Sequence, residues 1–546
     1  MKVDIYADIV FFNGRVITVN QNDDIVTAVA VKGKEIVYVG DDLGIKDYIG
    51  EKTRVVDVKG RTLMPGFVEA HSHFMLASIL LNDTVIPIDY KICGSIREIK
   101  EKIKGAVRKR KPGEWIVLQG YDQNKLEEMR HPNYSDLDEV APDNPVWCVR
   151  ADLHTGVCNS AALKIAGWTK ESAKDFQKGE LDLDESGELT GLVKEEGFGY
   201  MNALVSYQDE QLKEAFQLGD EAFLKVGITS VHDAGAYGAQ FVKVLQTACL
   251  SGDVHVRVYE MIYRMLGKNS IKEFIYEHIK TGLHTGIGND HYKLGPAKLL
   301  IDGSSSAPSC STKQPYSHNP DIPQIINWTQ EEMDQIFTDA HLAGFQMTAH
   351  CIGDNAVEKM VNTIEKVLGK YPREDARPRI EHCAMIDEEL LHRIKKLGII
   401  PISNPGLVAF NAKDYNRYYG DRVNNMFSCK SYIEKGIISA AGADAPCMDV
   451  NPMIGIWGAV QRKDIVNGEE CGICQKISVL DAIRMFTING AYASYDEKIK
   501  GSIEVGKLAD LIVLEEDILE SEPDHIKDIL VDQTYVDGQL VYERGE

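Results

Sequence analysis

The sequence has no apolar run long enough to cross a bilayer. Its first apolar stretch, Ile9–Phe12, is bounded by Asp8 and Asn13. A membrane helix needs about 18 or more consecutive apolar residues, so this stretch reads as a strand, neither signal nor anchor. A cytoplasmic chain is the expectation. Positive charge is also scarce: 60 Lys and Arg stand against 83 Asp and Glu, a formal net charge of −23. That balance favours solubility and works against nucleic acid or an anionic membrane as partner. No Gly-x-Gly-x-x-Gly opens a strand–helix unit, so a dinucleotide-binding sheet lacks its phosphate signal. The 11 cysteines are scattered, apart from Cys471 and Cys474 in a single C-x-x-C. Reduced thiols are expected, and one such pair reads as structural or incidental. A small-molecule partner is compatible with this composition.

With 546 residues, the chain can build a large core and an accessory domain. Both ends alternate apolar and polar residues around turn signals, as in ADIVFFNGRVITV and ILVDQTYVDGQLVYERG. Residues 1–62 and 495–546 are therefore expected to form one composite β-sandwich domain. Between them, residues 63–494 alternate strand and helix. Eight short apolar runs stand out: Leu63–His73, Ile228–Ala234, His255–Tyr263, Pro296–Asp302, Gln346–Gly353, Arg379–Cys383, Ile399–Asn404 and Ile438–Ala443. Helical patterns such as TQEEMDQIFTDAHLAG separate most of them. An α/β chain with eight such repeats predicts a (β/α)8 TIM-like barrel, with an open doubly wound sheet as the competitor. Far more than one crossover separates the first two strands. Residues from about 80 to 205 thus read as an insertion over the barrel mouth, where substrate enters. A homodimer is the base-rate expectation.

The sharpest local pattern is Pro65-Gly66-Phe67-Val68-Glu69-Ala70-His71-Ser72-His73. After the Pro-Gly break a strand follows, and residues two apart in a strand face the same side. His71 and His73 could then share a metal ion. His350 closes FQMTAH and His382 closes PRIEH, each at the C-terminal end of an expected strand, where a barrel gathers its functional groups. Asp444, among the small residues of SAAGADAP, could ligate metal and act as a base. Its plain alternative is a turn or helix cap. Lys298 lies inside the apolar PAKLLIDGS. A buried lysine loses its proton more readily, and the neutral amine can take up carbon dioxide as a carbamate able to bridge two metals. Its alternative is an ion pair with Asp302. His232 could hydrogen-bond near the centre. In the insertion, Asp152, His154 and Asn159 of ADLHTGVCNSAAL, with Tyr121 and Asp122 of LQGYDQ, are candidate substrate contacts.

Together these segments resemble the amidohydrolase superfamily. MPGFVEAHSH, TAHCIGD, RIEHC, GADAP and the closing GSIEVGKLADLIVL carry the likeness over nearly the whole chain. DLHTGVCNSAAL and KLLIDGS point to a large-insertion branch similar to N-substituted formamide deformylase. The resemblance implies that His71, His73, His350, His382 and Asp444 bind one or two divalent ions. Zn2+ is expected first, with Mn2+ or Fe2+ compatible, and Lys298 is expected to be carbamylated. It implies hydrolysis of a non-peptide amide or formamide-like C–N bond, with Asp444 as general base. An ester or lactone hydrolase, or an amino-heterocycle deaminase, would use the same centre. A catalytically silent scaffold is the non-enzyme alternative, disfavoured because the ligand types are all present. One departure stands out. Relatives often carry an arginine soon after DGS, whereas SSSAPSCSTKQPY offers only Lys313.

Overall fold

The computed structural model describes residues 6–82, 84–89, 92–151, 155–176, 179–235, 238–265 and 268–545. Eight strands form one parallel sheet in chain order: β1 (Phe67–Ser72), β2 (Ile228–Asp233), β3 (Arg257–Ile262), β4 (Tyr292–Leu300), β5 (Met347–Cys351), β6 (Arg379–His382), β7 (Ile400–Ser403) and β8 (Ala440–Ala441). All eight expected strands are present. The residues of β1, β2 and β3 are buried throughout, as parallel strands covered on both faces require. Between β8 and β1 no ladder forms. There the barrel is closed by the Asp444 N–H, which donates to the His71 carbonyl at 2.8 Å.

The connecting helices form where capping and periodicity agree. Thr329 caps Gln330–Leu342 with a capping box completed by Glu332. Asp387 caps Glu388–Leu397, which buries Leu390, Leu391 and Ile394 and stops at the left-handed Gly398. These local signals fix the helix ends, and burial of one apolar stripe fixes the side that meets the sheet.

The two chain ends do build a shared β-domain. Its six-stranded sheet runs Gln539–Glu543, Val531–Val536, Leu511–Leu514, Thr62–Pro65, Arg15–Ile17, Ile25–Val26. A four-stranded sheet from residues 9–57 packs beside it. The single run expected at Leu63–His73 is thus two strands in two sheets. Gly66 makes the break. A Cβ there would lie 2.3 Å from the Thr229 side chain, so only glycine lets the chain pass into the barrel at that point. Residues 80–205 contain a six-stranded sheet of their own, with a separate apolar core built on Ile86, Ile99, Leu118 and Val157.

Candidate metal and active site

Strand alternation sends Glu69 and His71 of β1 to the barrel interior, and His73 follows at its end. Ring-nitrogen partners fix how each imidazole is used. His71 Nδ1 hydrogen-bonds Glu381 Oε2 at 2.5 Å, which leaves Nε2 3.3 Å from Asp444 Oδ1. His73 Nδ1–H donates to the Gly235 carbonyl at 3.1 Å, and its Nε2 lies 3.6 Å from the same Asp444 oxygen. His382 Nδ1–H donates to Asn404 Oδ1 at 2.8 Å. His350 uses the other nitrogen: its Nε2–H donates to the Gly303 carbonyl at 3.1 Å, leaving Nδ1. A nitrogen whose ring partner is so engaged carries a lone pair, the form a metal takes. Ligand atoms of His71, His382 and Asp444 all lie within 4.8 Å of one another. The His382 ring is 4.7 Å from that of His71 and 4.4 Å from that of His350.

Simple alternation does not account for His382. Glu381 already faces inward, so its neighbour should face outward. The backbone turns left-handed instead, with φ of 67° at His382 and 42° at Cys383. Asp444 reaches the centre the same way, at φ 62°. Non-glycine residues held in this region store strain, which gathers at functional sites.

Behind the imidazoles lies a buried charged layer that the sequence reading missed. Arg379 grips Glu381 through Nε at 2.8 Å and a terminal nitrogen at 3.0 Å, and Thr348 donates to the same carboxylate at 2.6 Å. The arginine also donates to His232 Nδ1 at 3.0 Å and to the Ala70 carbonyl at 2.8 Å. His232 therefore supports the centre through Arg379. Burial works against charge on Glu381, yet Arg379 and His71 hold its carboxyl well below the usual range. Glu69 receives N–H groups from His71 at 3.2 Å and Ala443 at 2.8 Å. With no cation beside it, burial pushes Glu69 up to about 8. The signal was present in the sequence: Glu69-x-His71 and Arg379-x-Glu381 put charges on the inner face of strands that are otherwise apolar.

Lys298 of β4 is buried beneath the centre. Its Nζ donates to the Ala234 carbonyl at 3.3 Å and lies 4.8 Å from the Tyr263 ring. Ala234 adjoins Gly235, which anchors His73. The alternative pairing with Asp302 is not formed. Asp302 instead accepts N–H groups from Ile352, Gly353 and Ser311 at 2.8–3.0 Å. Burial brings the Lys298 ammonium down to about 8. Burial also lowers His73 to about 3 and His350 to about 4, so these rings are neutral. On Asp444, burial opposes charge, but its contacts with His71 and the neighbouring imidazoles favour it, and the carboxyl lies far below its ordinary value.

His350, His382 and Asp444 open into a cavity of about 830 Å³. Most of its other walls come from the segments after β4, β7 and β8, among them Ser304–Ser306, Leu407, Phe410, Asn411 and Cys447–Asp449, with Ile352 after β5. No described residue of 80–205 lines it. Asn159 is occupied elsewhere. Its Oδ1 accepts from Val146 and Ala162, and its Nδ2 donates to the Ala141 and Asn144 carbonyls, so it caps a helix inside the insertion. Tyr121 is buried there with its hydroxyl 2.9 Å from His131 Nδ1, and Asp122 pairs with Arg150 at 3.2 Å. Asp152 and His154 lie outside the described residues. Lys313 faces away from the cavity, bridging Glu358 at 2.9 Å and Asp387 at 3.1 Å.

A family model described as amidohydrolase matches residues 54–542. The chain belongs to the amidohydrolase family. It is 27% identical to the N-substituted formamide deformylase of Arthrobacter pascens, over 98% of both chains. It is 26% identical to the Arabidopsis thaliana protein LONG AFTER FAR-RED 3, over 98% of this chain and 92% of that one. Among solved structures, an uncharacterized metal-dependent hydrolase of Pyrococcus horikoshii superposes with a TM-score of 0.77 at 22% identity, covering 95% of this chain and 99% of that one. Family membership makes this amidohydrolase a hydrolase of carbon–nitrogen bonds other than peptide bonds, dependent on a divalent metal.

Proposed function

We propose that His71, His73, His350, His382, Asp444 and a carbamylated Lys298 hold one or two divalent ions, and that the enzyme cleaves an amide or formamide-like bond of a small organic substrate. One observation carries this reading: imidazole nitrogens converge on one buried carboxylate, with ligand atoms of three residues within 4.8 Å. Such a gathering of imidazole and carboxylate donors fits a divalent cation. Imidazole and oxygen donors suit zinc first, and manganese or iron share the preference. Bound there, a divalent ion lowers the pKa of water from 15.7 to about 7 and polarises a carbonyl oxygen.

The chain's own residues do the rest. Asp444, held ionised, takes the proton of the attacking water and returns it to the departing nitrogen, a contribution of roughly 10²- to 10⁴-fold. Glu381 and Asn404 keep the rings of His71 and His382 oriented. Lys298, brought down to about 8, offers the neutral amine that reacts with carbon dioxide, releasing a proton and gaining an anionic oxygen donor. The A. pascens relative acts on N-substituted formamides by name, which supports a C–N substrate of that kind. His154 and Asp152 remain proposed substrate contacts from the insertion.

The test is to purify the protein, measure its metal, remove it with a chelator and restore it. Each form is then assayed on N-substituted formamides, simple amides, lactones and amino-heterocycles. Metal-dependent release of amine from the first two is expected. Turnover confined to lactones or heterocycles would overturn the substrate reading. A protein that neither holds metal nor gains activity from it would overturn the whole.

A further inference from the structure

We infer that the helix Gly406–Tyr419 selects the substrate, with Phe410 seating an uncharged apolar group and Asn411 reading an adjacent N–H. This rests on the amide reading above and extends it to the part of the substrate that does not react. Leu407, Phe410 and Asn411 are spaced i, i+3 and i+4 on one helix face, and all three line the cavity beside Asp444. Phe410 is 43% exposed, a large ring left open inside an otherwise formed pocket. Met448 also lines the cavity, packed at the start of this helix. A Cβ on Gly406 would lie 2.7 Å from Met448 Cε, so the helix start is pared down to let that thioether approach.

The cleft is held at a set width. Tyr415 and Tyr419 of the same helix hydrogen-bond the opposite wall, at the Ser305 hydroxyl (2.9 Å) and the Ser305 carbonyl (2.7 Å). Helix and wall therefore move together, and selection rests on preset geometry.

Asn411 donates through Nδ2 to the Leu407 carbonyl at 2.9 Å. Its amide cannot rotate without losing that bond, so Oδ1, an acceptor only, is the atom assigned to the substrate N–H. The polar lining sets the last limit. Among the described lining residues the carboxylates are Asp302, Asp444 and Asp449, and there is no lysine or arginine. A carboxylate carried on the substituent would lose its hydration with no lysine or arginine there to pair it. The volume of about 830 Å³ far exceeds a formyl group and suits a substituent of several carbons.

The experiment uses the metal-loaded full chain and N-alkylformamides from ethyl to hexyl. Burial of each methylene should raise kcat/KM about three- to fourfold. Phe410→Ala should flatten that series, with the hexyl homologue losing most; Met448→Ala, at the other apolar lining residue, should flatten it in part. Adding an N-methyl group, which removes the N–H, should cost wild type about three- to tenfold, and Asn411→Ala should erase that difference. The 5-carboxypentyl homologue should fall at least about tenfold below hexyl. A flat series in wild type, or an unchanged slope in both wall variants, would overturn the inference. If no homologue is turned over, the proposed function fails by itself. Calorimetric binding of the same formamides to the metal-free protein then decides: affinity that rises with length and depends on Phe410 upholds the apolar site, and affinity independent of length overturns it.

Discussion

The two ends of the barrel are both filled with ionisable side chains, yet they are built on opposite plans. At the N-terminal end each charge has an opposite partner. Arg257 of β3 meets Asp510 through two nitrogens, at 2.7 and 2.9 Å, and Asp537 at 2.6 Å. Lys293 at the start of β4 pairs with Asp496, and Lys500 lies 3.4 Å from the same carboxylate and 2.9 Å from Ser230. Each partner comes from the C-terminal segment, so this end ties the composite β-domain to the barrel. At the C-terminal end the plan is crowding. Four imidazoles and one carboxylate converge, with Lys298 beneath them making no ion pair among the described residues. Paired charges hold a fold together. Convergent donors without a cation are costly until something binds. The division matches the general pattern of such barrels, with stability at the bottom and chemistry at the top.

The comparison predicts which measurement each end should move. Asp444→Asn should give the largest change. Losing the proton acceptor costs about 10²- to 10⁴-fold in kcat, with the unfolding free energy little lowered; a variant within tenfold of wild-type kcat would take Asp444 out of the base role. Arg257→Met should do the reverse. It leaves Asp510 buried and unpaired, for a loss of about 3–5 kcal/mol by urea denaturation, while kcat and KM of the surviving folded enzyme stay put. A large fall in kcat from Arg257→Met would break the proposed separation of the two ends.

How much of this was legible in the sequence follows the same division. The eight strands could be read because parallel strands buried on both faces leave compact apolar runs. His71 and His73 could be read because a period of two is unambiguous in a strand. His350 and His382 were found by position at strand ends, but the left-handed turn that aims His382 inward has no signature in RIEHC. The Arg379–Glu381 layer went unread because two charges in a four-residue strand look like surface until the opposite face is known to be full. The split at Gly66 depends on contact with Thr229, which lies more than 160 positions away in the chain. Asn159 and Asp122 are polar because their own sheet needs caps and ion pairs, and among the described residues part of the cavity wall comes from an unremarkable helix after β7.

Lys298 should make the stability of the upper end depend on pH. Its folded-state value of about 8 lies below the ordinary 10.5. Below pH 8 the ammonium is charged in both states, and burying it weakens the fold. Between about pH 8 and 10.5 the unfolded chain binds more protons, so stability must rise with pH, by about 3 kcal/mol at most. Metal-free wild type in carbonate-free buffer should show that rise in urea denaturation, and Lys298→Met should be more stable below pH 8 and lack it. Matching slopes for the two proteins would mean that the lysine is paired or hydrated after all.

The smallest effect should come from Glu381→Gln, which tests whether the buried layer belongs with the top of the barrel or only with its packing. Glu381 touches no substrate-facing surface. Its carboxylate orients His71 through Nδ1 and strengthens that ring as a donor. Removing the charge should weaken metal affinity about 10- to 100-fold, read by competition with a chromophoric chelator. With metal in excess, kcat should recover most of the loss. A merely structural residue would lower stability and leave the metal dissociation constant unchanged. If that constant shifts by less than about twofold while the protein is destabilised, Glu381 and Arg379 belong with the paired charges at the other end, and the line between the two plans must be drawn higher in the barrel.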